Sequence, residues 1–142
     1  MTAKFFVDTN VLLYAGSNAT EDRLKRQAAR ALLTRPDIGF SAQVLQEFYS
    51  VAVTKQRLQM THDEALAVLI SLAAFPVCPI TRELVMEAVE LRQRCKISYW
   101  DAAIIAAAKQ MGCTAIYSED LNPGQVYDGV TVVNPFAASA AP

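Results

Sequence analysis

The sequence predicts an α/β fold built on a parallel sheet, and three observations carry that prediction. A short apolar run, Lys4 to Val7, ends in Asp8-Thr9-Asn10 and leads into a second apolar run, Val11 to Tyr14. This is the pattern of a buried strand feeding a short helix. Further short apolar runs at 37–40, 75–80, 113–117 and 130–133 alternate with stretches of helical spacing, as strands and helices alternate in layered α/β domains. One stretch, Ile97 to Ala108, opens a helix that after Asp101 has almost no polar face before Lys109, so it belongs in the centre of the molecule.

At 142 residues and 53% hydrophobic content the chain suits one domain with a continuous core. Thirteen Lys and Arg against fourteen Asp and Glu give a formal net charge of -1, which excludes binding of nucleic acid by bulk positive charge. A nucleic-acid contact must then use a local patch. Cys78, Cys95 and Cys113 are odd in number and widely spaced, so neither a disulfide framework nor a zinc site is expected. With no basic-then-apolar leader and no apolar run of membrane-spanning length, the expectation is a soluble cytoplasmic protein without membrane contact.

Taken in order, Asp8 stands at the end of the first strand, either as a cap for the following helix or as a site residue beyond a strand's carboxyl end. Thr20, followed by Glu21 and Asp22, opens a helix to Thr34 with Leu24, Ala28, Ala31 and Leu32 inward. Its other face carries Arg23, Lys25, Arg26 and Arg30, read either as a solvated face or as contacts to phosphates. Ser41 is placed to cap a helix from Ala42 to Thr54 on which Glu47 is the one charged residue. Gln43, Glu47, Ser50 and Thr54 form a narrow polar stripe facing either solvent or a cleft.

Thr61 and Glu64 fit a capping box, and the helix they open points Leu66, Leu69, Leu72 and Ala73 inward. His62, the lone histidine, has no nucleophile to pair with and is read as structural. Thr81 opens a helix with Leu84, Ala88, Leu91 and Cys95 inward. Arg92, Arg94 and Lys96 near its end are explained by the helix dipole. Ser98 and Asp101, three apart, resemble a capping box at the start of the apolar helix, which ends at Gly112. After the strand Cys113 to Tyr117, Asp120 either makes a turn before Asn122-Pro123-Gly124 or serves a site. The Ala- and Ser-rich tail from Ala137 has no core pattern and is expected to fray.

Four acids thus stand out: two at strand ends (Asp8, Asp120), one at the start of a buried helix (Asp101) and one alone on an apolar helix (Glu47). Together, with the hydroxyls of Thr9 and Ser118 beside them, they fit a hard-cation site of oxygen ligands. The ordered set Val7-Asp8-Thr9-Asn10, Glu47, Trp100-Asp101-Ala102 and Ser118-Glu119-Asp120-Leu121 resembles the PIN-domain ribonucleases, in particular the VapC-type toxins of toxin–antitoxin pairs. The resemblance covers Lys4 to about Phe136. It implies a single PIN-like domain over residues 1–136, a parallel five-stranded sheet with helices on both faces, and adjacent first and fourth strands.

The same resemblance implies Asp8, Glu47, Asp101 and Asp120 as the catalytic carboxylates. Asp8, Asp101 and Asp120 would be metal ligands, with Glu47 and Glu119 as further candidates. Thr9, Asn10 and Ser118 would orient ligands or water. The cofactor would be Mg²⁺ or Mn²⁺, the substrate RNA, and the partners a cognate antitoxin and a second copy of the chain. Arg23, Lys25, Arg26 and Arg30 would steer the RNA backbone. The chemistry is consistent with this, because the chain offers no suitable histidine or serine pair, so metal ions must activate the water and relieve the phosphate charge. Two rivals remain. A non-catalytic interaction module can share the fold, and an aspartyl-phosphate phosphatase needs Asp-x-Asp where this chain has Asp8-Thr9-Asn10.

Overall fold

Six strands form one sheet in the order β3-β2-β1-β4-β6-β5 in the computed structural model, which describes residues 3–137. In chain order the elements are β1 (Phe5–Val7), α1 (Thr9–Gly16), α2 (Arg23–Leu32), β2 (Ile38–Ser41), α3 (Ala42–Thr54), α4 (His62–Ser71), β3 (Val77–Cys78), α5 (Arg82–Cys95), α6 (Tyr99–Gln110), β4 (Ala115–Tyr117), β5 (Val126–Tyr127) and β6 (Val130–Val133). Short 3-10 turns lie at Thr20–Asp22 and Gln56–Leu58.

Strands β3, β2, β1, β4 and β6 are parallel neighbours. Parallel crossovers are right-handed. The chain steps from β1 to β2 to β3 in one direction, through α1 to α4, then returns past them to β4 through α5 and α6. The reversal puts the two helix groups on opposite faces of the sheet. It also makes the β1–β4 boundary the switch point, where the carboxyl ends of neighbouring strands open a crevice. The β1–β4 register pairs Val7 with Tyr117, so the next residues, Asp8 and Ser118, emerge side by side.

The α/β class and the β1–β4 adjacency are as expected, but the sheet has six strands rather than five and is not wholly parallel. The extra strand is β5, antiparallel to β6. Asp128 and Gly129 join them at φ 50 and 86, a turn that needs two left-handed residues and so favours Asp-Gly. Arg94 grips Asp128 with two nitrogens and Lys109 adds a third donor at 3.2 Å. Arg94 therefore ties α5 to the hairpin, a role beyond the dipole interaction its position suggested.

The core gathers Phe6, Leu12, Phe40, Phe48, Ile105 and Ile116, all fully buried. Seven consecutive residues of α6, Ala102 to Ala108, are buried; five of them are alanines, whose small side chains let the helix lie close to the sheet. Ser41, Thr61, Thr81 and Ser98 cap their helices as expected, and the Thr61–Glu64 box is reciprocal. Two helix faces differ from expectation. Leu24 is 68% exposed while Ala29 is the buried residue of α2, and Thr20 makes no capping bond. On α4, Ala65 is buried and Leu66 exposed. In both helices a small alanine makes the close contact, so spacing counted on leucines misplaced the inward face. All three cysteines are free, and burial pushes the Cys113 thiol up to about 11. Among the described residues no helix is long and apolar enough to cross a membrane. The expected frayed tail lies, from residue 138 onward, outside the described residues.

Candidate active site

Asp8 leaves β1 in extended conformation and caps α1, its Oδ1 accepting from the Thr9 amide at 2.7 Å. It is therefore a helix cap, but capping occupies only one oxygen. The other, Oδ2, accepts from Ser118 Oγ at 2.7 Å, across the β1–β4 boundary. Ser118 is fully buried, and its Oγ also accepts from Asn10 Nδ2 at 3.3 Å and from the Asp120 amide at 3.1 Å. Asn10 completes the lattice. Its Nδ2 donates to Asp120 Oδ2 at 3.1 Å and its Oδ1 accepts from the Glu119 amide at 3.2 Å. The loop after β4 is thus fastened to the start of α1 through three side chains.

Glu47 projects from α3 toward the same crevice. Its Oε1 accepts from Thr9 Oγ1 and from Gln43 Nε2, both at 3.3 Å, and Gln43 also donates to the Trp100 carbonyl at 3.3 Å. The polar stripe of α3 is therefore split: Gln43 is buried and Glu47 half-buried at the cleft, whereas Ser50 and Thr54 face solvent. Asp101 sits in the first turn of α6. Ser98 Oγ accepts from its amide at 3.1 Å, but the returning half of a capping box is missing, and the Asp101 carboxylate makes no hydrogen bond among the described residues.

The four acids line one cavity of about 220 Å³, with Thr9, Asn10, Gln43 and Trp100 around them and Leu13, Val51 and Ile104 as apolar wall. No Lys, Arg or His lines it, and none of the four carboxylates takes part in an ion pair among the described residues. Like charges gathered in a partly dry pocket resist ionisation. Burial pushes Asp8 up to about 6, against the hydrogen bonds from Ser118 and Thr9, with the charges of Asp120 and Glu47 adding to the rise. Glu47 is raised too, first by burial and then by Asp101 and Asp120, while Thr9 and Gln43 pull the other way.

Among the described residues no three acid, His or Cys side chains converge closely enough to hold an ion by themselves. The acids ring the cavity rather than meeting at one point. Their donor set is nonetheless all oxygen, and the negative charge has no internal counterion. Both features fit a hard divalent cation that keeps several waters and takes only one or two carboxylates directly.

Glu119, a candidate ligand from the sequence, turns away. Tyr14 Oη donates to its Oε1 at 2.8 Å and Lys25 Nζ to its Oε2 at 2.6 Å. The basic face of α2 is largely occupied as well. Lys25 holds Glu119, Arg26 donates to the carbonyls of Ser17 and Ala19, and Arg30 donates to the Ala15 carbonyl. Only Arg23 of that set is exposed without a partner among the described residues. His62 meets Tyr49 Oη through Nδ1 at 2.8 Å, outside the cavity. Sequence reasoning assigned no site role to Gln43; its place four residues before Glu47 on the polar stripe was the available signal.

The PIN domain family profile matches residues 5–128 of the chain. Among solved structures, the chain is similar to the sarcin-ricin-loop-cleaving toxin VapC20 of Mycobacterium tuberculosis, with 21% identity over 82% of this chain and 89% of that one and a TM-score of 0.63. It is also similar to a toxin–antitoxin complex from Klebsiella pneumoniae, with 22% identity, coverage of 92% and 97% and a TM-score of 0.64. DNA-bound VapBC from Salmonella typhimurium gives 17% identity with the same coverage and a TM-score of 0.64. At these identities the likeness is one of fold. No curated protein sequence matches significantly.

Proposed function

The chain belongs to the PIN domain family, and from that premise we infer that it is a metal-dependent endoribonuclease, the toxin of a toxin–antitoxin pair acting in the cytoplasm. One observation carries the reading: four carboxylates line a single cavity that contains no basic side chain. Structural acids are ordinarily paired or solvated, because an uncompensated cluster destabilises the fold. A cluster left without a counterion at a sheet switch point is one designed to receive a cation.

Asp8, Asp101 and Asp120 would hold Mg²⁺ or Mn²⁺, with Glu47 across the cavity. The bound ion supplies activation of water and relief of charge on the phosphate, neither of which a side chain here provides. The residues of the chain supply the positioning. Ser118 and the Thr9 amide fix Asp8 by both oxygens, Asn10 ties Asp120 to the same lattice, and Gln43 and Thr9 hold Glu47 by a single oxygen, leaving its other oxygen open. Asp101 is carried on a helix buried along most of its length, so its position is set by packing. Leu13, Val51 and Ile104 give the cavity an apolar wall.

The neighbouring structures support the choice of partner and substrate class. One is a sarcin-ricin-loop-cleaving toxin and another a toxin–antitoxin complex. A cognate antitoxin and RNA as substrate are proposed for this chain on that likeness, and a homodimer on the resemblance of its sequence to the VapC-type toxins. Incubation of the full chain with cellular RNA and Mn²⁺ tests the reading. Endonucleolytic cleavage that stops in EDTA is expected; an intact RNA pool with Mn²⁺ favours instead a non-catalytic interaction module.

A further inference from the structure

A second cavity, about 170 Å³, opens beside the first and shares Asn10, Leu13 and Asp120 with it. Its charge is different. Where the first contains acids and no base, the second sets Lys55 and Arg57 beside Glu119 and the shared Asp120. Both come from the turn that ends α3, the helix carrying Glu47: Lys55 is its C-cap and Arg57 lies in the 3-10 turn that follows. At 1.5 Å per residue, Lys55 stands roughly 12 Å along from Glu47. The second cavity therefore lies past the C-terminal end of the helix that carries Glu47.

Arg57 is held in place from behind. Its Nη1 donates to both carboxylate oxygens of Asp22, at 3.1 and 3.0 Å, and Asp22 is itself buried and bonded by Ser17 Oγ at 2.6 Å. Nε and Nη2 of the same guanidinium have no partner among the described residues. A planar fork fixed at one nitrogen and free at the others is suited to bind a phosphate oxygen. The Lys55 side chain is exposed, with neither hydrogen bond nor ion pair among the described residues. Of the two acids in this cavity, Glu119 already has both oxygens engaged by Tyr14 and Lys25, and Asp120 is the carboxylate shared with the first cavity and bonded by Asn10; exposed Glu21 approaches the Nη1 of Arg57 only at 3.9 Å.

We propose that this second cavity is a phosphate subsite for single-stranded RNA, in which Lys55 and Arg57 hold a backbone phosphate flanking the one at the carboxylates. The inference rests on the nuclease reading above. It moves RNA contact from the α2 cluster, whose cations are mostly spent on carbonyls and Glu119, to the end of α3. Asp22 acts as the positioning residue for Arg57.

The test is binding of a labelled single-stranded oligoribonucleotide to the full-length Asp101→Asn protein, titrated over a salt series. Adding Lys55→Gln and Arg57→Gln is expected to weaken binding about tenfold or more. It should also lower the slope of log K against log salt by about 0.7, the share of one phosphate contact on a single strand. Lys55→Gln alone, which leaves the Asp22 pair intact, should weaken binding by a smaller factor and lower the slope by no more than about 0.7. Unchanged affinity and slope in both variants overturn the proposal, as does failure of the Asp101→Asn protein to bind the oligonucleotide at low salt. Failure of the nuclease reading looks different: the wild-type chain then cleaves no RNA with Mn²⁺, while binding still depends on Lys55 and Arg57.

Discussion

Ser118 Oγ donates to Asp8 Oδ2 at 2.7 Å, joining residues 110 apart in sequence across the boundary between β1 and β4. This one bond ties the two strand ends that carry the acids. The same oxygen accepts from Asn10 and from the Asp120 amide, so removing it loosens three contacts at once. Ser118→Ala is expected to lower stability by about 1–3 kcal/mol in denaturant unfolding, the cost of leaving buried polar groups unpaired. It should also lower cleavage at saturating RNA, because Asp8 and Asp120 lose their common anchor.

The acid cluster should destabilise the metal-free fold near neutral pH. Burial raises Asp8 to about 6 in the folded chain, above the ordinary carboxylate value of about 4. A carboxyl whose folded value is raised carries no penalty below its unfolded value, where it is neutral in both states. The penalty grows as pH rises and is full above the folded value. Asp8→Asn keeps an oxygen for the Thr9 amide but presents an amide nitrogen to Ser118, which offsets part of the relief. The metal-free variant is expected to be more stable than wild type by about 1 kcal/mol at neutral pH, the difference shrinking toward pH 4. Thermal melts in EDTA at the two pH values check this; a variant less stable at both would make Asp8 a helix cap alone.

Arg26 and Arg30 should matter to the fold rather than to RNA. Arg26 bonds the Ser17 and Ala19 carbonyls and Arg30 the Ala15 carbonyl, so together they satisfy carbonyls at and just past the end of α1, where a helix leaves such groups without partners. Arg26→Ala is expected to lower the melting midpoint, by about 1 kcal/mol in stability, with RNA cleavage per folded molecule unchanged. Arg23→Ala, at an exposed residue, should change neither.

Much of this architecture is legible in the sequence because it is written locally. Helix caps at Ser41, Thr61, Thr81 and Ser98 are short-range patterns, and α3 begins and ends where its sequence signals it. Asp8 and Asp120 stand out because they follow strands, Asp101 because it opens a buried helix, and Glu47 because it is the one charge on an apolar helix. What escaped depends on distant partners. The β5–β6 hairpin is two residues of strand on each side of an Asp-Gly turn at its core pairing, too short for alternation to register. Whether a carboxylate faces a cavity or a cation is decided across the fold: Glu119 meets Lys25, 94 positions away, while its neighbour Asp120 lines the cavity. The Asp22–Arg57 pair joins a residue read as a helix-start acid to a turn with no motif. The misplaced faces of α2 and α4 reflect the same limit, since an alanine's role is set by what packs against it.

The most direct measurement of the central claim is calorimetric titration of the metal-free chain with Mn²⁺, compared with Asp8→Asn and Asp101→Asn. Four carboxylates acting as one cation site predict saturable Mn²⁺ binding to the wild type, and affinity lowered at least about tenfold by either substitution, a change of about 1.4 kcal/mol or more. Binding of equal affinity in all three proteins, or no binding to the wild type, would contradict it.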